Sequence, residues 1–290
     1  MKRIPRLLVL LVALLGLVAA ACGSDNSGGS AATTAAATTV ATTSAATTTA
    51  APTTTAAPTT TTAAVAGNIT VFAAASLTDA FNEIGAAFTK AYPQAKTTFS
   101  FDASSALVQQ ITQGAPADLF ASADQANMDK LTKAGLNGGA PQVFANNLLG
   151  IIVPAGNPKG VTGVQDLSRP DLKVVLCADG VPCGTYAKQI LTTAGVTVNP
   201  VSLEQNVKGV VTKVTTGEAD AGIVYVTDIA AAGSKAAGVE IPKDINVVAV
   251  YPIAPTKTSQ NAAVDQAFVG FLLGSQGQAI LDKYGFLPPT

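Results

Sequence analysis

From residue 68 onward the apolar positions follow two alternating rhythms. Ile69-Thr70-Val71-Phe72 is β-branched and aromatic, as suits a buried strand. After the small residues Ala73-Ala74-Ala75-Ser76, Leu77, Phe81, Ile84 and Phe88 recur at helical spacing. The same switch repeats along the chain. It predicts strands over 69–74, 97–101, 119–121, 148–153, 173–177, 222–226 and 246–250. Helices are predicted over 77–91, 105–113, 126–134, 186–194, 207–216, 262–273 and 276–284. Such alternation points to an α/β fold with central sheets flanked by helices. In open α/β sheets ligands sit where strand C-termini meet helix starts.

Several polar groups fall at such places. Ser76 opens the first helix, where free backbone N–H groups and one hydroxyl make an anion site without a charged residue. The plainer reading is that Ser76 caps the helix. Phe99-Ser100-Phe101-Asp102-Ala103-Ser104-Ser105 repeats the design, with Ser104 and Ser105 at the next helix start and Asp102 two residues earlier. An i, i+2 relation within a strand puts Asp102 and Ser104 on one face, so either the strand has ended or Asp102 points away. Glu204-Gln205-Asn206-Val207-Lys208 opens another helix, with N–H groups at Val207. Gly222-Ile223-Val224-Tyr225 ends a buried strand with a tyrosine at its rim, which donates to a ligand or to a nearby carbonyl.

Composition narrows the chemistry. The 290 residues include neither His nor Trp, and only 12% are charged. A Ser-His-Asp triad, a Cys-His dyad and a His-ligated metal are therefore excluded. With no basic run or aromatic-basic interleaving, nucleic-acid binding has no support.

The first 67 residues are of another kind. Lys2, Arg3 and Arg6 precede an apolar run over 7–18 that is too short to span a bilayer, and Ala19-Ala20-Ala21 leads to Cys22. This predicts a secretory signal over 1–21. Its end resembles a bacterial lipobox, in which Cys22 becomes the lipid-modified N-terminus that holds the protein to the outer face of the cell membrane. An ordinary cleaved signal is the alternative. Loss of the three cations takes the formal net charge from −1 to −4. Residues 22–67, almost all Ala, Thr, Ser, Gly and Pro, cannot bury enough apolar surface to fold and predict a disordered tether. With Cys22 acylated, Cys177 and Cys183 remain, six residues apart in an exported chain. A disulfide between them is expected, with two free thiols as the alternative.

Four motifs together carry a family resemblance. They are Ile69-Thr70-Val71-Phe72-Ala73-Ala74-Ala75-Ser76-Leu77, Gly114-Ala115-Pro116-Ala117-Asp118-Leu119-Phe120-Ala121-Ser122-Ala123-Asp124, Val181-Pro182-Cys183-Gly184-Thr185-Tyr186-Ala187-Lys188 and Gly222-Ile223-Val224-Tyr225. With the ending Lys283-Tyr284-Gly285-Phe286, residues 68–290 resemble the molybdate-binding proteins of ABC importers. The resemblance implies a two-lobed, class II periplasmic-binding-protein fold, with molybdate or tungstate held in the cleft as a ligand rather than a cofactor. It implies hydroxyl donors at Ser76, Ser104 and Tyr225, and backbone N–H donors at Cys183 and Val207. Cys183 stands where alanine is common, which a backbone donor tolerates. Taken with the lipobox at Cys22, it makes the main reading a lipid-anchored monomer that delivers its ion to an ABC permease. Lobes are expected over 68–146 plus 249–290 and over 147–248.

Other readings remain at this level. A different tetrahedral oxyanion such as sulfate is one. An enzyme with Ser76 as nucleophile is another, against which stand the missing His and Asp79, not Lys, three residues on. The Ala/Thr-rich tether also suits a surface adhesin, which needs no buried donor-lined cleft.

Overall fold

The computed structural model describes residues 65–289. The expected signal over 1–21, Cys22 and nearly all of the tether lie outside them. Gly67, expected to be the last tether residue, is the first residue of β1 (Gly67–Ala74).

The chain then lays down α1 (Thr78–Ala91), β2 (Ala95–Asp102), α2 (Ser104–Thr112), β3 (Leu119–Ala121), α3 (Gln125–Lys133) and β4 (Gln142–Asn147). β5 (Leu149–Pro154), β6 (Val174–Cys177), α4 (Pro182–Thr193), β7 (Ser202–Glu204), α5 (Val207–Thr215), β8 (Ala221–Tyr225), α6 (Val226–Ala232) and β9 (Ala236–Glu240) follow. β10 (Ala249–Pro255), α7 (Ala262–Leu273) and α8 (Ser275–Lys283) complete the fold. Two five-stranded sheets result, ordered β2-β1-β3-β10-β4 and β7-β6-β8-β5-β9.

The two sheets share one plan. In the first, β1 runs parallel to β2 and β3, and β10 lies antiparallel between β3 and β4. In the second, β6 runs parallel to β7 and β8, and β5 lies antiparallel between β8 and β9. Each sheet thus directs the C-terminal ends of three parallel strands to one edge, the arrangement that gathers helix starts around a ligand. The chain crosses between the sheets at Leu148 and again between Glu240 and Ala249.

The helical spacing of Leu77, Phe81, Ile84 and Phe88 has its expected effect, since all four are buried. Phe81 packs at 5.6 Å from Phe144 and Phe88 at 5.3 Å from Phe268, ring centre to ring centre. Each such ring contributes about 1.5–3 kcal/mol through burial alone. Gly85 lets α1 approach the sheet closely, because a Cβ there would lie 2.6 Å from the Phe99 ring.

Four strands, the end of a fifth and one helix differ from the sequence pattern. The strand expected at 246–250 is displaced to β10, because Asn246 is taken up by side-chain bonds to Leu149 and Ile241. β4, β7 and β9 had no counterpart. The expected strand over 222–226 stops at Tyr225, where α6 begins.

Candidate functional site

β1 ends in small residues, and a single 3-10 turn (Ala75–Leu77) carries the chain into α1. The residue before that turn is Ala74, and the one before α2 is Ala103. Neither supplies a side-chain cap. Ser76 and Ser104 lie inside the first turns rather than before them, so neither serine caps its helix. Their hydroxyls have other partners. Ser76 Oγ lies 3.0 Å from Tyr251 Oη, and Ser104 Oγ accepts the Ala123 N–H at 2.9 Å. Ala123 is held in turn by its neighbours, as Ser122 donates to Asp124, whose carboxylate caps α3 through the Asn127 N–H. The first-turn N–H groups of both helices, lacking acceptors within the helix, remain for a ligand.

The second sheet contributes three more strand ends. Asn206 caps α5 by accepting the Gly209 N–H at 3.2 Å, and Val207 follows as the first helical residue. α4 starts at Pro182, which has no N–H to offer, so Cys183 supplies the first backbone donor. Cys183 is bonded to Cys177, with Cα atoms 5.8 Å apart, and this ties the start of α4 to the end of β6. Gly184 makes that approach possible, since a Cβ there would lie 2.6 Å from the Cys177 carbonyl oxygen and closer still to that of Ala178. Tyr225 ends β8, fully buried, and its hydroxyl has no hydrogen-bond partner among the described residues. Burial pushes this phenol well above the usual tyrosine range, so it stays protonated as a donor.

All five residues singled out by sequence, Ser76, Ser104, Cys183, Val207 and Tyr225, line one small cavity. The rest of its wall is alanine, valine and proline. No carboxylate or ammonium group lines it.

The nearest charges are accounted for. Asp102 is the last residue of β2, so the strand has ended before Ser104, and its carboxylate is not among the groups that line the cavity. It accepts the Ala103 N–H at 2.7 Å and the Asn206 side-chain amide at 3.0 Å. The Lys208 ammonium lies 3.2 Å from buried Asp228 and 3.3 Å from Asp79. Burial acts to lower the Lys208 pKa, but these two carboxylates outweigh it and hold the group charged. What faces the cavity is therefore neutral donors. That suits a small, fully deprotonated anion, whose oxygens accept and never donate. It does not suit nucleophilic catalysis, since the side-chain partner of Ser76 is a buried phenol rather than a base.

Three residues of the site were not visible from sequence. Tyr251 lies one position beyond the predicted strand end, and Asn147 lies in the unpredicted β4. Gly184 sat within a quoted motif, but only the structure shows why a Cβ is excluded there. Among the described residues no group of three or more His, Cys, Asp or Glu is placed to hold a metal ion, and no helix is long and apolar enough to cross a membrane.

Comparison with known proteins adds an independent line. Residues 69–287 match the family described as bacterial extracellular solute-binding protein. The molybdate-binding protein ModA of Mycobacterium tuberculosis is 46% identical over 224 residues, covering 77% of this chain and 86% of that one. Its counterpart in Escherichia coli is 35% identical over 230 residues, covering 76% and 89%. Among solved structures, the substrate binding domain of a putative molybdenum ABC transporter from Clostridium difficile superposes with a TM-score of 0.59 at 32% identity, covering 77% of this chain and 99% of that one.

Proposed function

This chain belongs to the bacterial extracellular solute-binding protein family, and from that premise we propose that it captures molybdate or tungstate in the cavity between its two sheets and delivers the ion to an ABC permease. As a member of that family it is a carrier rather than an enzyme, and it works outside the cytoplasm.

One observation carries the choice of ligand class. The Tyr225 hydroxyl is buried and unpartnered in a cavity without charged walls. A buried unsatisfied hydroxyl costs about 1–3 kcal/mol, which a bound oxyanion returns by accepting its proton. Hydroxyls of Ser76, Ser104 and Tyr225, with N–H groups of Cys183 and Val207, surround a tetrahedral dianion with donors only. Fixed donors then select by size, because a smaller ion such as sulfate leaves longer bonds.

The delivery role extends to the parts beyond the cavity. Cys22 carries the lipid that anchors the protein, the residues from 22 up to the start of β1 form the tether, and the protein acts as a monomer. The two lobes, each built on one sheet and joined at Leu148 and between Glu240 and Ala249, close over the ion. Partitioning of the mature protein into detergent, abolished by Cys22→Ala, tests the anchor.

Thermal unfolding in buffer, molybdate, tungstate, sulfate and phosphate tests the ligand. At about 100 times the dissociation constant a ligand adds roughly 2.7 kcal/mol, on the order of 5–10 °C for a chain of this size. The expected result is a shift with molybdate and tungstate alone. A shift with sulfate instead keeps the site and changes the ion. No shift with any oxyanion removes the proposal.

A further inference from the structure

Tyr251 lies outside the five donors, yet its hydroxyl decides how one of them behaves. The phenol is fully buried, and its oxygen touches two side chains. Asn147 Nδ2 lies 3.5 Å away and also donates to Thr227 Oγ1 at 2.9 Å. An amide nitrogen only donates, so Tyr251 Oη accepts from Asn147. The phenol's own proton has a hydroxyl oxygen within reach at Ser76 Oγ, 3.0 Å away, and directing it there is the arrangement that leaves no hydrogen of the group unpaired. Ser76 Oγ becomes an acceptor toward Tyr251, and its proton is released toward the cavity. Ser104 shows the same logic through a different partner, since its oxygen is occupied by the Ala123 N–H. The Tyr225 proton has no acceptor within the protein.

From this relay we propose that Tyr251 is a positioning residue that fixes Ser76 as an outward donor, and so makes the cavity reject oxyanions that keep a proton at neutral pH. The inference rests on the oxyanion reading of the cavity. Hydrogenphosphate and hydrogenarsenate have one O–H that needs an acceptor. A cavity whose hydroxyls all point protons inward leaves that O–H unpaired. Removing the Tyr251 hydroxyl frees Ser76 Oγ to accept it.

Calorimetric titration of the purified protein and of Tyr251→Phe with molybdate and with hydrogenarsenate at pH 7.5 tests this. The variant is expected to bind molybdate about tenfold more weakly, as loss of a hydrogen bond in a charged site does. Its affinity for hydrogenarsenate holds or rises, so the ratio of the two affinities falls at least about tenfold. An equal loss for both ions would mean Tyr251 is only structural, and the proposal fails. If the unmutated protein binds neither molybdate nor any other tetrahedral oxyanion, the oxyanion reading itself fails, and the relay has nothing to select. Should the variant not fold, the proton balance of the unmutated protein decides. Titration with phosphate in buffers of different ionisation heat is expected to show either no binding or release of a proton from each bound ion. Phosphate bound with its proton retained overturns the proposal.

Discussion

The side-chain amide of Asn206 donates to the Asp102 carboxylate over 3.0 Å, which joins the residue before α5 to the last residue of β2. The bond links elements of the two sheets at the rim of the cavity. Asn206→Ser keeps a capping oxygen for the Gly209 N–H but is too short to reach Asp102. The expected result is little change in melting temperature without ligand and about fivefold faster ligand release, for about 1 kcal/mol lost. Stopped-flow displacement of bound molybdate measures it.

Tyr225→Phe separates stability from affinity. It removes a buried hydroxyl that has no partner in the free protein, so the ligand-free melting temperature holds or rises. Molybdate affinity falls by on the order of tenfold or more. Paired melting curves and titrations check both halves, and a loss of stability without ligand contradicts the assignment.

The disulfide between Cys177 and Cys183 closes a short ring. Replacing both by alanine is expected to remove about 2 kcal/mol, roughly 4–8 °C. Alanine keeps the backbone N–H at position 183, so affinity falls only as far as the start of α4, no longer tied to β6, lets that donor move. Unfolding and titration of the same double variant, with dithiothreitol-treated protein alongside, provide the check.

Gly184→Ala places a methyl group against the Ala178 and Cys177 carbonyls, so the start of α4 must move away from β6. A loss of about 1–3 kcal/mol is expected, with weakened ligand binding. Gly270→Ala, on α7 with open space at its Cβ, is the control and gains about 0.5–1 kcal/mol from helix propensity. Melting temperatures of the two variants, with and without molybdate, distinguish them.

Asp265, buried on α7 with one carboxylate oxygen unpartnered among the described residues, predicts a pH dependence. Burial, with Asp118 adding to it, pushes its pKa from 3.8 up to about 6. The folded state therefore holds a proton that the unfolded chain has already released between those values. Stability from this group is complete below the unfolded pKa and is lost as pH rises through about 6. Asp265→Asn stays neutral, and is expected to raise the melting temperature at pH 7.5 by roughly 2–4 °C, for about 1 kcal/mol. At pH 4 the two proteins melt together. Melting curves across that pH range test the sign.

Sequence alone was most informative where pattern and burial coincide. β1 and α1 were legible because Ile69, Val71 and Phe81 through Phe88 are buried in register with their periodicities. The five residues that meet at the cavity were legible because they sit at strand ends and in motifs. β4 was hidden because it ends in the polar pair Asn146-Asn147, which was expected at a lobe boundary, whereas the fold buries both. β7 is three residues with Leu203 exposed, and β9 opens Ala236-Ala237-Gly238, so neither shows an alternating apolar face. α6 follows directly on Val224-Tyr225, where the apolar run looks like more strand. Tyr251 acts through a proton direction, and no linear pattern carries that.

The place of β10 in the first sheet also sets an order of events. It lies between β3 and β4, yet it is the last strand to be made, after all five strands of the second sheet. A chain that emerges from export N-terminus first therefore leaves the edge of β3 unpaired until residues 249–255 arrive. The second sheet, contiguous in the chain, is complete before then. The half that supplies Ser76 and Ser104 is thus the one whose sheet stays incomplete until residues 249–255 emerge, with an unpaired strand edge in the interval.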